Sequence, residues 1–167
     1  MITLTESGIE FGPFEEQNLF RIEQSPWLSC LTGIKACEFV LWEKQKTELI
    51  FVEAKSSVPS SSKSAKEYDA YFIKIFEKFD NSLQLLASGA VGRPKELTAE
   101  LGSGISNLDW EQTKILFYLV IPKVPDEFLQ GLTDKLRLTL RRPLKLWSAD
   151  AFVINERLAA TKGLLNS

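Results

Sequence analysis

The chain has 167 residues, 44% of them hydrophobic and 25% charged, which fits one ordinary globular domain with its own core. Twenty basic against 22 acidic residues leave a net charge of −2, so the composition does not suit a protein that coats nucleic acid by bulk electrostatics, and any phosphate recognition must be local. Histidine is absent, which excludes Ser-His-Asp and Cys-His catalysis, histidine-bound zinc and every nuclease that uses histidine as base; hydrolytic chemistry must rest on carboxylates, lysine and a metal.

No segment approaches the roughly eighteen consecutive apolar residues of a membrane span, and the start, Met1 to Gly8, lacks the basic and apolar regions of a signal peptide. The expectation is a cytoplasmic protein with no membrane association. Cys30 and Cys37 are too few for a zinc site or a disulfide framework, and a buried thiol is expected for each.

In chain order, Ile2 to Phe14 alternates imperfectly around Gly8, Gly12 and Pro13 and predicts one or two short strands about a turn. Glu15 to Glu23 predicts a helix after Pro13, or a helix leading into a strand Leu19 to Glu23. Ser25-Pro26-Trp27, with serine as cap and proline at the first helical position, predicts a short helix to about Leu31, ended by Gly33.

Two short runs rich in β-branched and aromatic residues follow, Cys37 to Trp42 and Glu48 to Val52, joined by the polar stretch Glu43 to Thr47. They predict an antiparallel hairpin. With the turn centred between Gln45 and Lys46, Trp42 pairs with Leu49 and Val40 with Phe51, so Glu38 falls opposite Glu53. Side chains alternate with period two, which puts Lys55 on the same face. Opposed carboxylates about 4.5 to 5.5 Å apart at Cβ destabilise a hairpin unless something neutralises them. A hard divalent cation would do so, with Glu38, Glu53 and the Ala54 carbonyl as oxygen donors. Such an ion polarises a phosphate oxygen and acidifies a bound water, which Lys55 would hold or help deprotonate. The competing expectation is a surface hairpin whose charges are simply solvated.

Ser56 to Ser64 reads as a flexible loop placed beside that site. From Ala65 to about Ala87, Tyr68, Phe72, Ile75, Phe76, Phe79, Leu83 and Leu86 recur at helical spacing behind the candidate cap Ser64, and predict a long helix whose aromatic stripe faces the core. Gly89 to Asn107 is turn-rich, with a short helix from Pro94 to Glu100 and no phosphate-binding glycine loop. Lys114 to Ile121 is apolar on both faces and predicts a buried strand ended by Pro122 and Pro125. A helix from Asp126 to about Arg141, an edge strand from Pro143 to Trp147 and a terminal helix from Asn155 to Leu164 complete the chain.

An acid before the hairpin, an acid entering its first strand, Glu53-Ala54-Lys55 leaving its second, a long helix and then a buried strand: in this order the chain resembles the PD-(D/E)xK, or restriction-endonuclease-like, nuclease superfamily over about residues 15 to 121. The resemblance implies an α/β (α+β) fold, a mixed β-sheet flanked by helices, and Mg²⁺ (or Mn²⁺) as cofactor. It also implies metal binding by Glu38, Glu53 and the Ala54 carbonyl, and contact of Lys55 with the attacking water. For the further acid that many members draw from the preceding segment, Glu23 is the first choice and Glu16 the second. Two departures stand out: Cys37-Glu38 replaces the usual Pro-Asp, and no Gln-x-x-x-Tyr helix motif is present.

The function expected on this basis is Mg²⁺-dependent hydrolysis of phosphodiester bonds in nucleic acid, with DNA first, by a chain that also has the prospect of a homodimer or a protein partner. Two alternatives remain: an inactive nuclease-like domain that binds protein or nucleic acid, and a phosphohydrolase of small nucleotides working in a closed pocket. A basic cluster, Lys135, Arg137, Arg141, Arg142 and Lys145, is a candidate phosphate-backbone contact, with Lys63 and Lys66 from the loop side, against a plain solvated helix face.

Overall fold

The structure, a computed structural model, describes residues 1–166. Strands β1 (Ile2–Glu6) and β2 (Ile9–Phe14) form an antiparallel hairpin turned at Ser7-Gly8, where both residues have positive φ. Between Glu15 and Leu31 the expected helices are present only as single 3-10 turns at Glu16–Asn18, Ile22–Gln24 and Leu28–Cys30, and the expected strand shrinks to β3 (Leu19–Phe20). The reason is burial: Leu19, Phe20, Ile22 and Leu28 must each reach the core from successive turns of an irregular path, a spacing that no helical face satisfies. Ser25 Oγ accepts from the Leu28 N–H (3.1 Å) at the start of the last of these turns. Cys30 lies exposed on the outer side of it, contrary to expectation, while Cys37 is buried.

The hairpin of β4 (Phe39–Glu43) and β5 (Glu48–Ala54) has the expected register, with Trp42 opposite Leu49 and Val40 opposite Phe51. Helix α1 (Ala65–Ala90) is capped by Ser64, which accepts from the Glu67 N–H. Short helices α2 (Lys95–Glu100) and α3 (Ser103–Ser106) follow, then β6 (Lys114–Val120) and α4 (Asp126–Thr139).

The expected edge strand at Pro143 to Trp147 is instead helix α5 (Arg141–Leu146), and the edge strand is β7 (Asp150–Ile154). Pro143 sits in the first turn of α5, where a missing N–H breaks no helical bond, so the proline does not exclude a helix there. Helix α6 (Glu156–Thr161) is capped by Asn155 and closed by Gly163 in the left-handed conformation.

The main sheet is mixed and five-stranded, in the order β3-β4-β5-β6-β7. Pairing is antiparallel from β3 to β5 and parallel from β5 to β7, so the crossovers β5-α1-β6 and β6-α4-α5-β7 carry the helices. Odd-numbered residues of β5 and even-numbered residues of β4 face α1: Leu49, Phe51 and Val40 pack there with Phe72, Ile75, Phe79, Leu83 and Phe117. The opposite face, with Phe39, Leu41, Ile50, Val52 and Ala54, packs against Phe11 and Phe14 of the β1-β2 hairpin and Ala159 before the terminus. No helix of the described residues is long and apolar enough to cross a membrane.

Candidate functional site

The same parity that buries Phe51 carries Glu53 and Lys55 onto the α1 face at the C-terminal end of β5. Glu38, one residue before β4, donates its N–H to the Val52 carbonyl (3.0 Å) and so continues the hairpin register to a position opposite Glu53. The Lys55 N–H donates to the Val120 carbonyl (2.9 Å), which ties the end of β5 to β6. The segment before β4 is clamped to α1: Asn81 donates to the Lys35 carbonyl (2.9 Å), and the Cys37 N–H donates to Ser82 Oγ (2.8 Å). Ser82 in turn donates to the Lys78 carbonyl one helical turn back (2.6 Å). Glu38 therefore enters the site already fixed to the helix that roofs it.

That helix supplies the residue that the sequence did not reveal. Lys78 Nζ lies 2.9 Å from Glu53 Oε1, 3.1 Å from its Oε2, 3.3 Å from Glu23 Oε1 and 3.8 Å from Glu38 Oε1. Lys55 Nζ approaches Glu53 Oε1 to 2.7 Å. Glu53 is fully buried, with 0% exposure, and neither ammonium meets its Oε1 in hydrogen-bonding geometry, so that oxygen is compensated by charge alone. Of the two candidates for an additional acid, Glu23 joins the cluster from the Ile22–Gln24 turn. Glu16 lies on the Glu16–Asn18 turn and lines a different cavity, of about 910 Å³, beside Met1 and Ala99. Glu6, at the end of β1, is near enough for burial and then the charge of Glu23 to raise its carboxyl above the usual range; nothing in the sequence marks it.

Crowding of acids in a half-dry site sets their protonation. Burial, followed by a hydrogen bond with Glu23 and the charge of Glu53, pushes Glu38 up to about 9, while the same hydrogen bond to Glu38 lowers Glu23. Burial and the neighbouring carboxylates thus favour the protonated form of Glu38 at neutral pH. Lys78 is held above the ordinary lysine range: burial opposes its charge, but the charge of Glu53, its hydrogen bond and the other two acids outweigh burial. Burial raises the Cys37 thiol far from reactivity, which leaves it a packing residue.

A divalent ion fits the donor chemistry of the site. Three carboxylates converge, one of them buried with an oxygen that no hydrogen bond satisfies, and all donors are oxygens of the kind that Mg²⁺ and Mn²⁺ take. In this arrangement, though, the centre of the cluster is the Lys78 ammonium, and no three acidic, cysteine or histidine groups among the described residues are arranged as metal ligands. A bound ion requires Lys78 to swing outward.

The sequence-predicted basic cluster is dispersed. Lys135 pairs with Asp69, and Arg137 makes a two-point ion pair with Asp150 (2.9 and 3.2 Å), so neither is free for phosphate. Arg141, Arg142 and Lys145 border a cavity of about 820 Å³ with Phe76, Asp80 and Trp147. Positions 78 and 80 lie roughly 200° apart around a helix, so this cavity opens on the flank of α1 opposite the carboxylates.

A scan against protein-family models, a search of the curated proteins and a search of the solved structures found no match to the chain.

Proposed function

We propose that the chain is a divalent-metal-dependent phosphodiesterase of the restriction-endonuclease-like type, acting on nucleic acid, with DNA as the first expectation. The observation that carries this function is the convergence of Glu23, Glu38 and Glu53 with Lys55 at the end of β5, where the mixed sheet changes from antiparallel to parallel. The order of elements behind the resemblance, hairpin, long helix and parallel strand, supports the fold assignment.

Glu53, Glu38 and the Ala54 carbonyl are assigned to hold the ion, with Glu23 as the additional acid. When bound, Mg²⁺ supplies Lewis acidity toward a phosphate oxygen and lowers the pKa of a coordinated water. Lys55, 35% exposed, stands where it meets both Glu53 and solvent, and is assigned to position the attacking water. Lys78, if displaced by the ion, would still stand on α1 beside the site and could stabilise negative charge on the phosphate oxygens. For Glu38 to serve as a ligand it would have to give up the proton that burial and the neighbouring carboxylates favour on it.

The test is metal-dependent cleavage of plasmid and single-stranded DNA by wild type, Glu53→Gln and Lys55→Ala. Cleavage by wild type, abolished in both variants at unchanged secondary structure, supports the proposal; cleavage retained by either variant rejects the assignment. One observation favours a second function, a domain without catalytic activity that binds protein or nucleic acid: Lys78 already neutralises the carboxylates. A folded wild type that takes no divalent ion would support that alternative.

A further inference from the structure

A cavity of about 530 Å³ opens beside the carboxylate cluster, between α1 and the segment before β4. Lys35, Lys55, Lys74 and Lys78 line it against a single acid, Glu77, and Tyr71 lines it as well. Lys55 and Lys78 are committed to the glutamates, but Lys35 and Lys74 form no ion pair among the described residues. The Tyr71 hydroxyl is buried and has no hydrogen-bond partner. An orphaned buried hydroxyl is unfavourable, and an acceptor oxygen brought within its reach removes that penalty.

We infer that this cavity is a subsite for a terminal phosphate monoester, held by the ammonium groups of Lys35 and Lys74 and by a hydrogen bond donated from Tyr71. The inference rests on the phosphodiesterase function proposed above and gives it a substrate preference, for a nucleic-acid end or a nucleotide carrying a free phosphate. The charge balance selects the monoester: it carries about −1.5 to −2 at neutral pH, against −1 for an internal diester, and two uncommitted ammonium groups match the larger charge. The volume also lies in the range of small-ligand pockets, roughly 300 to 1,000 Å³, and the shared walls at Lys55 and Lys78 place the bound phosphate next to the hydrolytic centre.

The test uses the full chain in EDTA, so that binding is separated from metal chemistry. Oligodeoxynucleotides of one sequence bearing a 5′-phosphate, a 3′-phosphate or hydroxyls at both ends are titrated into wild type, Tyr71→Phe, Lys74→Ala and the opposite-flank control Arg141→Ala, with dAMP and inorganic phosphate as small probes. One phosphorylated end is expected to bind about tenfold more tightly than the hydroxyl-ended strand, and Tyr71→Phe and Lys74→Ala to lose most of that preference while Arg141→Ala keeps it. Tight dAMP binding without oligonucleotide preference identifies a nucleotide as the source of the phosphate. Tyr71→Phe is expected to melt no lower than wild type, since it removes an unsatisfied hydroxyl, so a loss of binding cannot be a loss of fold. Equal affinity for all ends and no binding of the small probes, or unchanged preference in both variants, overturns the subsite. Phosphate preference without metal-dependent cleavage leaves the subsite standing and rejects the hydrolytic function, whereas cleavage indifferent to end phosphate does the reverse.

Discussion

Replacing Lys78 by Met removes the charge at the centre of the cluster while keeping the stem that packs along α1. At 2.9 Å and an effective dielectric of about 20, the attraction between Lys78 and Glu53 is about 6 kcal/mol before desolvation. Desolvation of both partners offsets much of it, and removal of one partner from a buried pair costs about 3 to 5 kcal/mol. Lys55 at 2.7 Å continues to compensate Glu53, so the lower end, about 3 kcal/mol, is expected. For a chain of this length that corresponds to a fall in Tm of about 6 to 12 °C in EDTA. Saturating Mg²⁺ is then expected to fill the vacated centre, and free ion at about 100 times its Kd would return about 2.7 kcal/mol. Thermal melts followed by circular dichroism, with EDTA or with Mg²⁺, read both effects. The variant should recover most of its loss with Mg²⁺, and gain more from the ion than wild type does. An unchanged Tm in EDTA would refute the role of Lys78 as internal counter-ion, and a large loss with no rescue would refute the metal site.

Two further outcomes follow from the geometry. Because Glu38 is raised to about 9 from an ordinary carboxylate value, the folded state binds more protons than the unfolded one between about pH 4.5 and 9; its contribution is therefore fully favourable at the acid end and declines as pH rises through that window. Glu38→Gln mimics the protonated form and should flatten the decline, so that the variant melts higher than wild type at pH 8.5 but not at pH 5; parallel profiles would show that Glu38 is ionised in the native protein. Gly102→Ala should destabilise the chain by about 3 kcal/mol in a urea titration, since the added Cβ would lie 2.3 Å from the Gln17 carbonyl oxygen and the backbone there must move; wild-type stability would show that the loop before α3 does not pack on the Glu16–Asn18 turn.

What the sequence revealed of the site was a matter of local parity. The turn residues Glu43 to Thr47 fix the register, and the register alone brings Glu38, Glu53 and Lys55 to one face. What it could not reveal is what covers that face. Lys78 sits in the polar part of an amphipathic helix, where a lysine ordinarily meets solvent, and only the crossover that lays α1 over β5 turns it inward. A lysine three residues after Ile75 and one before Phe79, at the border of the apolar stripe, is the faint signal that existed. The long helix and the buried strand β6 were legible because their periodicities extend over many residues. The segment Glu15 to Leu31 was not, because short turns that each bury one or two side chains leave no period to detect. The basic residues of α4 and α5 misled for a related reason: a cationic run shows no partner in sequence, and Asp69 and Asp150 reach Lys135 and Arg137 only through the fold.

The most direct measurement is calorimetric titration of Mn²⁺ into wild type and Glu53→Gln at pH 6.5 and 7.5. The carboxylate site predicts one saturable ion per chain in wild type, tightened by up to about tenfold over that pH unit as Glu38 gives up its proton, and lost in Glu53→Gln. A folded wild type that takes up no Mn²⁺ at either pH would contradict it and leave Lys78 as the permanent counter-ion of the three glutamates.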